Sequence, residues 1–166
     1  MVNMRPFTDF EQKNLKFLVN HNVKFTLVEI TPTGLGKGIL DSTAPMRSYF
    51  LENGIHNYEE QLQGQEHKQM KNACILTETT NIDTKASFYR PNTKKGDPRM
   101  WIYGFGSYTQ GNDIHVLFWH ENTLYTINIT RIDIEKCYNT AIINPMQEIL
   151  KTINRMGSSV PEELLG

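Results

Sequence analysis

The segment YRPNTKKGDPRMW (89–101) concentrates the side chains best suited to nucleic-acid chemistry. Arg90 and Arg99 stand on its flanks and Lys94 and Lys95 at its tip, with Asn92, Asp97 and Trp101 between and beside them. Lysine and arginine neutralise backbone phosphates. A guanidinium also grips guanine O6 and N7 through two hydrogen bonds, and an asparagine amide pairs in the same way with adenine. Pro91 and Pro98 stiffen the segment and Gly96 permits a turn. These features predict a projecting basic hairpin arm able to lie against a duplex; the alternative is a solvated loop whose lysines merely keep it soluble.

A second candidate is TPTGLGKGIL (31–40), where glycines would let the backbone approach a phosphate and Lys37 would supply charge. It is not a phosphate-binding Walker loop, because Gly38 follows Lys37 where a serine or threonine is required. A plain turn is the alternative. The third candidate is IDTK (82–85). Asp83 and Lys85 match half of a nuclease site in which carboxylates hold Mg²⁺ and lysine orients water. Glu78 lies upstream, and neither Asp41 nor Glu59 has the context of the missing partner acid. A strand-end turn with ordinary charges competes with that reading.

The five histidines show no metal-ligand spacing, and no GxSxG or CxxC is present. Trp101, Tyr103, Phe105, Phe118 and Trp119 either form a base-stacking platform or, on alternating strands, belong to the core.

The elements that must carry these residues follow from spacing. Thr8 and Glu11 have capping-box separation ahead of a helix over 9–20. VKFTLVEI (23–30) alternates like a strand, and TPTGLGKG, with three glycines and a proline in eight residues, is expected to be a loop. Ser42 or Thr43, Pro45 and Gly54 bound a second helix. The polar stretch 57–72 is expected to be a surface connection, partly helical. Strands are expected at 73–79, 85–90, 99–105, 113–120 and 123–130, with a hairpin turn at HENT (120–123). Helices near 132–140 and 145–156 close the chain, and GSSVPEELLG (157–166) reads as a linker or tail. Strands follow strands without intervening helices, so an antiparallel, barrel-like α+β fold is expected.

Composition narrows the class. A chain of 166 residues, 39% hydrophobic with 11 glycines besides, suits one globular domain rather than a disordered chain. No run approaches 18 apolar residues, and the N-terminus lacks the apolar stretch of a secretory signal. Cys74 and Cys137 are too few for a disulfide framework or a structural zinc site, which predicts a cytoplasmic protein with reduced thiols and no membrane partner. Basic and acidic residues balance at 17 and 18, yet 85–101 holds Lys85, Arg90, Lys94, Lys95 and Arg99 against Asp97 alone. Charge attraction is local, screened within about 10 Å, so a basic arm on an acidic body still favours DNA.

The order of these parts resembles the N-terminal, DNA-binding domain of EcoRII-type restriction endonucleases. The likeness covers residues 23–130 and rests on FTLVEITPTGLGKGILDSTAPMRSYF followed by CILTETTNIDTKASFYRPNTKKGDPRMWIYGF. It implies a seven-stranded open pseudobarrel, mainly β and mostly antiparallel; the N-terminal helical extension (1–22) and the C-terminal helices (131–156) flank it without a counterpart in the family. It also implies sequence-specific binding of double-stranded DNA in the major groove by two arms. Lys37 and its neighbours, Thr33 among them, would lie on one. Arg90, Asn92, Lys94, Lys95, Asp97, Arg99 and Trp101 would lie on the other. DNA binding of this kind needs no cofactor. The family's nuclease chemistry lies in a separate domain, so this chain would be non-catalytic by itself. Mg²⁺ would enter only under the alternative, a compact endonuclease using Asp83 and Lys85.

Overall fold

The computed structural model describes residues 4–165, with side chains for all of these except Lys94 and 157–165. Seven strands form one sheet: Thr26–Ile30 (β1), Leu40–Asp41 (β2), Gln69–Leu76 (β3), Asn81–Tyr89 (β4), Arg99–Ile102 (β5), Asp113–His120 (β6) and Thr123–Asn128 (β7). Their order is β1-β6-β7-β3-β4-β5-β2, and every neighbouring pair is antiparallel except β3 with β7. The two ends of that order, β1 and β2, are consecutive in the chain. The sheet therefore curls into a nearly closed barrel whose seam is bridged by the β1–β2 connection. This is the α+β pseudobarrel expected from the sequence.

Alternation along the strands creates two cores. Val28, Ile30, Ala73, Ile75, Ala86, Phe88, Met100 and Ile102 point into the barrel. The helix Ala44–Glu52 (α3) plugs it with Met46, Tyr49 and Phe50. Thr43 and Pro45 start α3, and Gly54 follows its end at φ 66°. Phe50 is fully buried, which is worth about 1.5–3 kcal/mol in transfer from water. The outward residues Cys74, Leu76, Ile114, Val116, Phe118 and Ile127 form a second core. Three helices cover it: Asp9–Asn20 (α1), Ile134–Asn139 (α4) and Pro145–Leu165 (α5). Helices from both ends of the chain thus complete one packed body with the barrel. Backbone assigned to a linker from 157 is helical, because a helix already nucleated over three turns tolerates Gly157, Ser158 and Ser159. The side chains of that segment and Gly166 lie outside the described residues.

Polar groups lock the outer helices in place. The capping box forms as expected, with the Thr8 side chain accepting from Glu11 N and the Thr8 amide donating to Glu11 Oε1. Glu11 is fully buried and also accepts from Arg5 and Thr130. The Arg5 hydrogen bonds hold its carboxyl down to about 2, against the burial that would raise it. Asn14 donates to the carbonyls of Ile129 and Ile132 and accepts from Ile134 N, tying α1 to the connection after β7.

Further expectations change: the strand expected over 99–105 ends at Ile102 and a helical turn follows at Phe105–Tyr108. TPTGLGKG is not a loop but contains a short helix, Pro32–Lys37 (α2). Its glycines are outweighed by real caps: Thr31 at the N-terminus, Pro32 in the first turn, and Gly38 in the left-handed conformation at the end. The strands β3 and β4 begin at 69 and 81, four residues earlier than read. Their first halves run beyond the core, so no apolar alternation marks them. The stretch 57–72 is partly helical as expected, with turns at Tyr58–Glu60 and Gln65–His67, but it is not confined to the surface, since Tyr58 and Gln61 are buried. Among the described residues no helix is long and apolar enough to cross a membrane.

Candidate nucleic-acid interface

The first arm is α2 with its flanks. Thr31 Oγ1 accepts from Gly34 N at 3.0 Å, and Thr33 and Lys37 face solvent. Gly34 is buried where a Cβ would stand 2.6 Å from Leu40 Cδ2 and 2.9 Å from the Ile39 carbonyl. Leu40 can shift but the backbone cannot, so Gly34→Ala should lower stability by about 1–2 kcal/mol and loosen α2 from β2. Urea unfolding and amide exchange over 34–40 would measure both effects.

The second arm, between β4 and β5, does not project freely. Its base is pinned to 58–64. Arg90 Nε donates to the Gly96 carbonyl (2.9 Å), Nη1 to those of Gln61 (2.9 Å) and Tyr58 (3.2 Å), and Nη2 to that of Lys95 (3.4 Å). Gly64 N donates to the Arg90 carbonyl, and Gln63 Nε2 to that of Pro91. Gly96 is left-handed and buried, with Gln63 where a Cβ would go. Arg90 therefore shapes the arm from within. The tip leaves Asn92, Thr93, Lys95 and Asp97 exposed. The side chain of Lys94 lies outside the described residues.

Strand register places the rest. Tyr89 is opposite Arg99 and Ser87 opposite Trp101; these positions alternate with the inward Phe88, Ala86, Met100 and Ile102, as do Lys85 and Tyr103, although the half-buried Trp101 ring still packs against the inner core. Lys68 Nζ sits 5.4 Å from the Tyr89 ring centroid, a cation–π arrangement, and Tyr103 donates weakly to Met70 Sδ. The first arm meets this face: a Cβ on Gly38 would lie 3.9 Å from the Trp101 ring. Trp101 also packs edge-on against Phe105. Arg99 lies beside Asp41, Nε to Oδ1 3.7 Å, and that Nε has no hydrogen-bond partner. Together with Thr33, Lys37 and Thr43, Arg99 and Asp41 line a cleft of about 310 Å³ between α2 and β1. Thr33, Lys37, Arg99 and Trp101 thus come together, while Asn92, Lys95 and Asp97 sit at the far end of the second arm.

Asp83 and Lys85 share the outer face of β4 and are exposed. Lys85 donates to Asn72, and Asp83 lies opposite buried Cys74. Among the described residues no three His, Cys, Asp or Glu side chains cluster to hold an ion, so the nuclease alternative gains no ligand set. Cys74 and Cys137 are free and buried, and burial raises both thiols, Cys74 to about 11. They remain protonated, unlike a nucleophilic cysteine. His115 is fully buried between Thr109 and Thr126.

Lys68, Met70 and Tyr89 were not singled out from the sequence as parts of this face. The sign in the sequence is the basic pair Lys68 and Lys71, placed at the end of a polar stretch just ahead of the apolar half of β3. Comparison with known proteins finds no matching family model, no matching curated protein and no matching solved structure.

Proposed function

We propose that the chain is a sequence-specific double-stranded DNA-binding domain that reads a short site in the major groove with two arms. In this reading it acts in the cytoplasm and delivers a nuclease domain of a restriction endonuclease to its target, and does no chemistry itself. The observation that supports it most is the junction of α2 with the outer face of β5. Lys37 and Gly38 border Arg99 and Trp101, and the second arm rises from the same strand. Lys37 and Lys85 are exposed on this side, Lys68 and Arg99 are half-buried beside them, and Lys95 is exposed at the tip of the second arm. Lysines of this kind hold phosphates, and the exposed Asn92 amide is the side chain at the tip suited to a base edge. Arg90 contributes shape rather than a base contact.

Selection of bound duplexes from a random pool tests the reading, with a shared consensus as the expected result. With roughly four cations on phosphates, log K should fall against log salt with a slope of about −3.6. Removing Lys37 or Lys95 should reduce that slope by about 0.9 each without changing the consensus. A salt-independent response, or no retarded complex at low salt, overturns the proposal.

A further inference from the structure

We propose that the outer face of β4 and β5 binds single-stranded DNA, stacking unpaired bases on Trp101 and Tyr103. This goes beyond duplex recognition and does not rest on it. The outer core that α1, α4 and α5 cover contains no residue of β4 or β5, and of the helices only the end of α2 meets this stretch of sheet, at Gly38 beside Trp101. An uncovered sheet face normally presents polar side chains. Here the outward positions include three aromatics, Tyr89, Trp101 and Tyr103, among the polar Asp83, Lys85, Ser87 and Arg99, with Tyr103 at 42% exposure. Tyr103 is two residues from Trp101 on the same face, a step of about 7 Å along the chain.

Two features select the occupant. Lys68 lies over the Tyr89 ring and Lys85 pairs with Tyr103 across the strands, against the one exposed acid Asp83 on β4, which suits a phosphodiester chain and opposes an acidic or purely apolar partner. A closed duplex offers only base edges and phosphates, because its base faces are stacked inside. The exposed Tyr103 ring and the half-buried Trp101 ring gain from a strand whose base faces are free. Single-stranded and duplex DNA would then compete for one face.

The test is titration of the full chain with a 20-nucleotide oligo(dT), following tryptophan emission and retention on a filter. Trp119 faces the barrel interior and packs on the inner core, so a Trp119→Phe variant isolates the signal of Trp101. The expected result is quenching of Trp101 emission, with affinity weakened about tenfold by Trp101→Leu and by Tyr103→Leu. Trp101→Leu removes packing against Phe105, whereas Tyr103 is exposed, so the second variant remains informative if the first unfolds. Absence of oligo(dT) binding by the wild type overturns the proposal, and so does unchanged affinity in Tyr103→Leu. Duplex retention in the same buffer reports separately on the two-armed reading: duplex binding without oligo(dT) binding rejects only the stacking face, and the reverse rejects only the duplex reading.

Discussion

Arg90→Ala is expected to lower the unfolding free energy by about 3 kcal/mol and to release the second arm from the body. The guanidinium is half-buried and donates to four backbone carbonyls, drawn from the arm itself and from 58–61. Hydrogen bonds from a charged donor are worth about 1.5–3 kcal/mol each where water cannot replace them, and partial exposure discounts the sum. Lysine cannot reproduce a planar fork aimed at several carbonyls, so Arg90→Lys should recover little of the loss. Urea denaturation of both variants measures the effect, with Lys95→Ala as a control expected within about 0.5 kcal/mol of wild type. A phosphate-contacting Arg90 would behave in the opposite way. Its removal would leave stability unchanged and reduce the salt slope of DNA binding by about 0.9.

Lowering the pH from 7 to 5 should destabilise the protein by about 2 kcal/mol through His115 alone. Its imidazole lies on the inner side of β6, in edge contact with Phe105. Nδ1 and Nε2 each lie 2.8 Å from a threonine hydroxyl, of Thr126 and Thr109. The neutral ring satisfies both contacts by donating at one nitrogen and accepting at the other. Burial opposes the charged ring and lowers its pKa to about 3, with Asp113 offsetting only part of this. The unfolded chain takes up the proton near 6.5 and the native state does not. Stability is therefore full above 6.5, declines as the pH falls, and levels below about 3 after a total loss of about 5 kcal/mol. His56, also lowered by burial, adds with the same sign. The low carboxyl of Glu11 acts only below its ordinary range, nearer pH 4 to 2. Urea midpoints measured between pH 5 and 7 should show the slope, and His115→Gln should remove most of it. An unchanged slope in that variant would mean that the imidazole is not the group resisting protonation.

The parts legible in the sequence are those whose physics is local. The capping box of α1, the Thr43 and Pro45 start of α3, the full extent of β6 and the turn at 120–123 all match the structure. Each depends on residues within a few positions of one another. In the turn, Glu121 and Asn122 both adopt positive φ, as a two-residue hairpin connection between twisted strands requires. The glycine-rich segment of α2 has the composition of a loop, yet its caps at Thr31, Pro32 and Gly38 outweigh its glycine content. Its Gly34 serves a close approach to Leu40 that no local pattern reveals.

The candidate face divides in the same way. The sequence alone determined that a basic, aromatic segment lies between two strands, because residue type and alternation are visible without coordinates. It also determined the mainly β, barrel-like class, since strand follows strand. Only the tertiary structure decided what those side chains do. Arg90 and Arg99 are the same residue type on the two flanks of one arm, yet Arg90 bonds carbonyls 29 and 32 residues away, while Arg99 reaches across a strand pair to Asp41 and the cleft beneath α2. Type sets what a side chain can bond. Which partners it finds is set by long-range strand pairing and by the face of the sheet on which it lands.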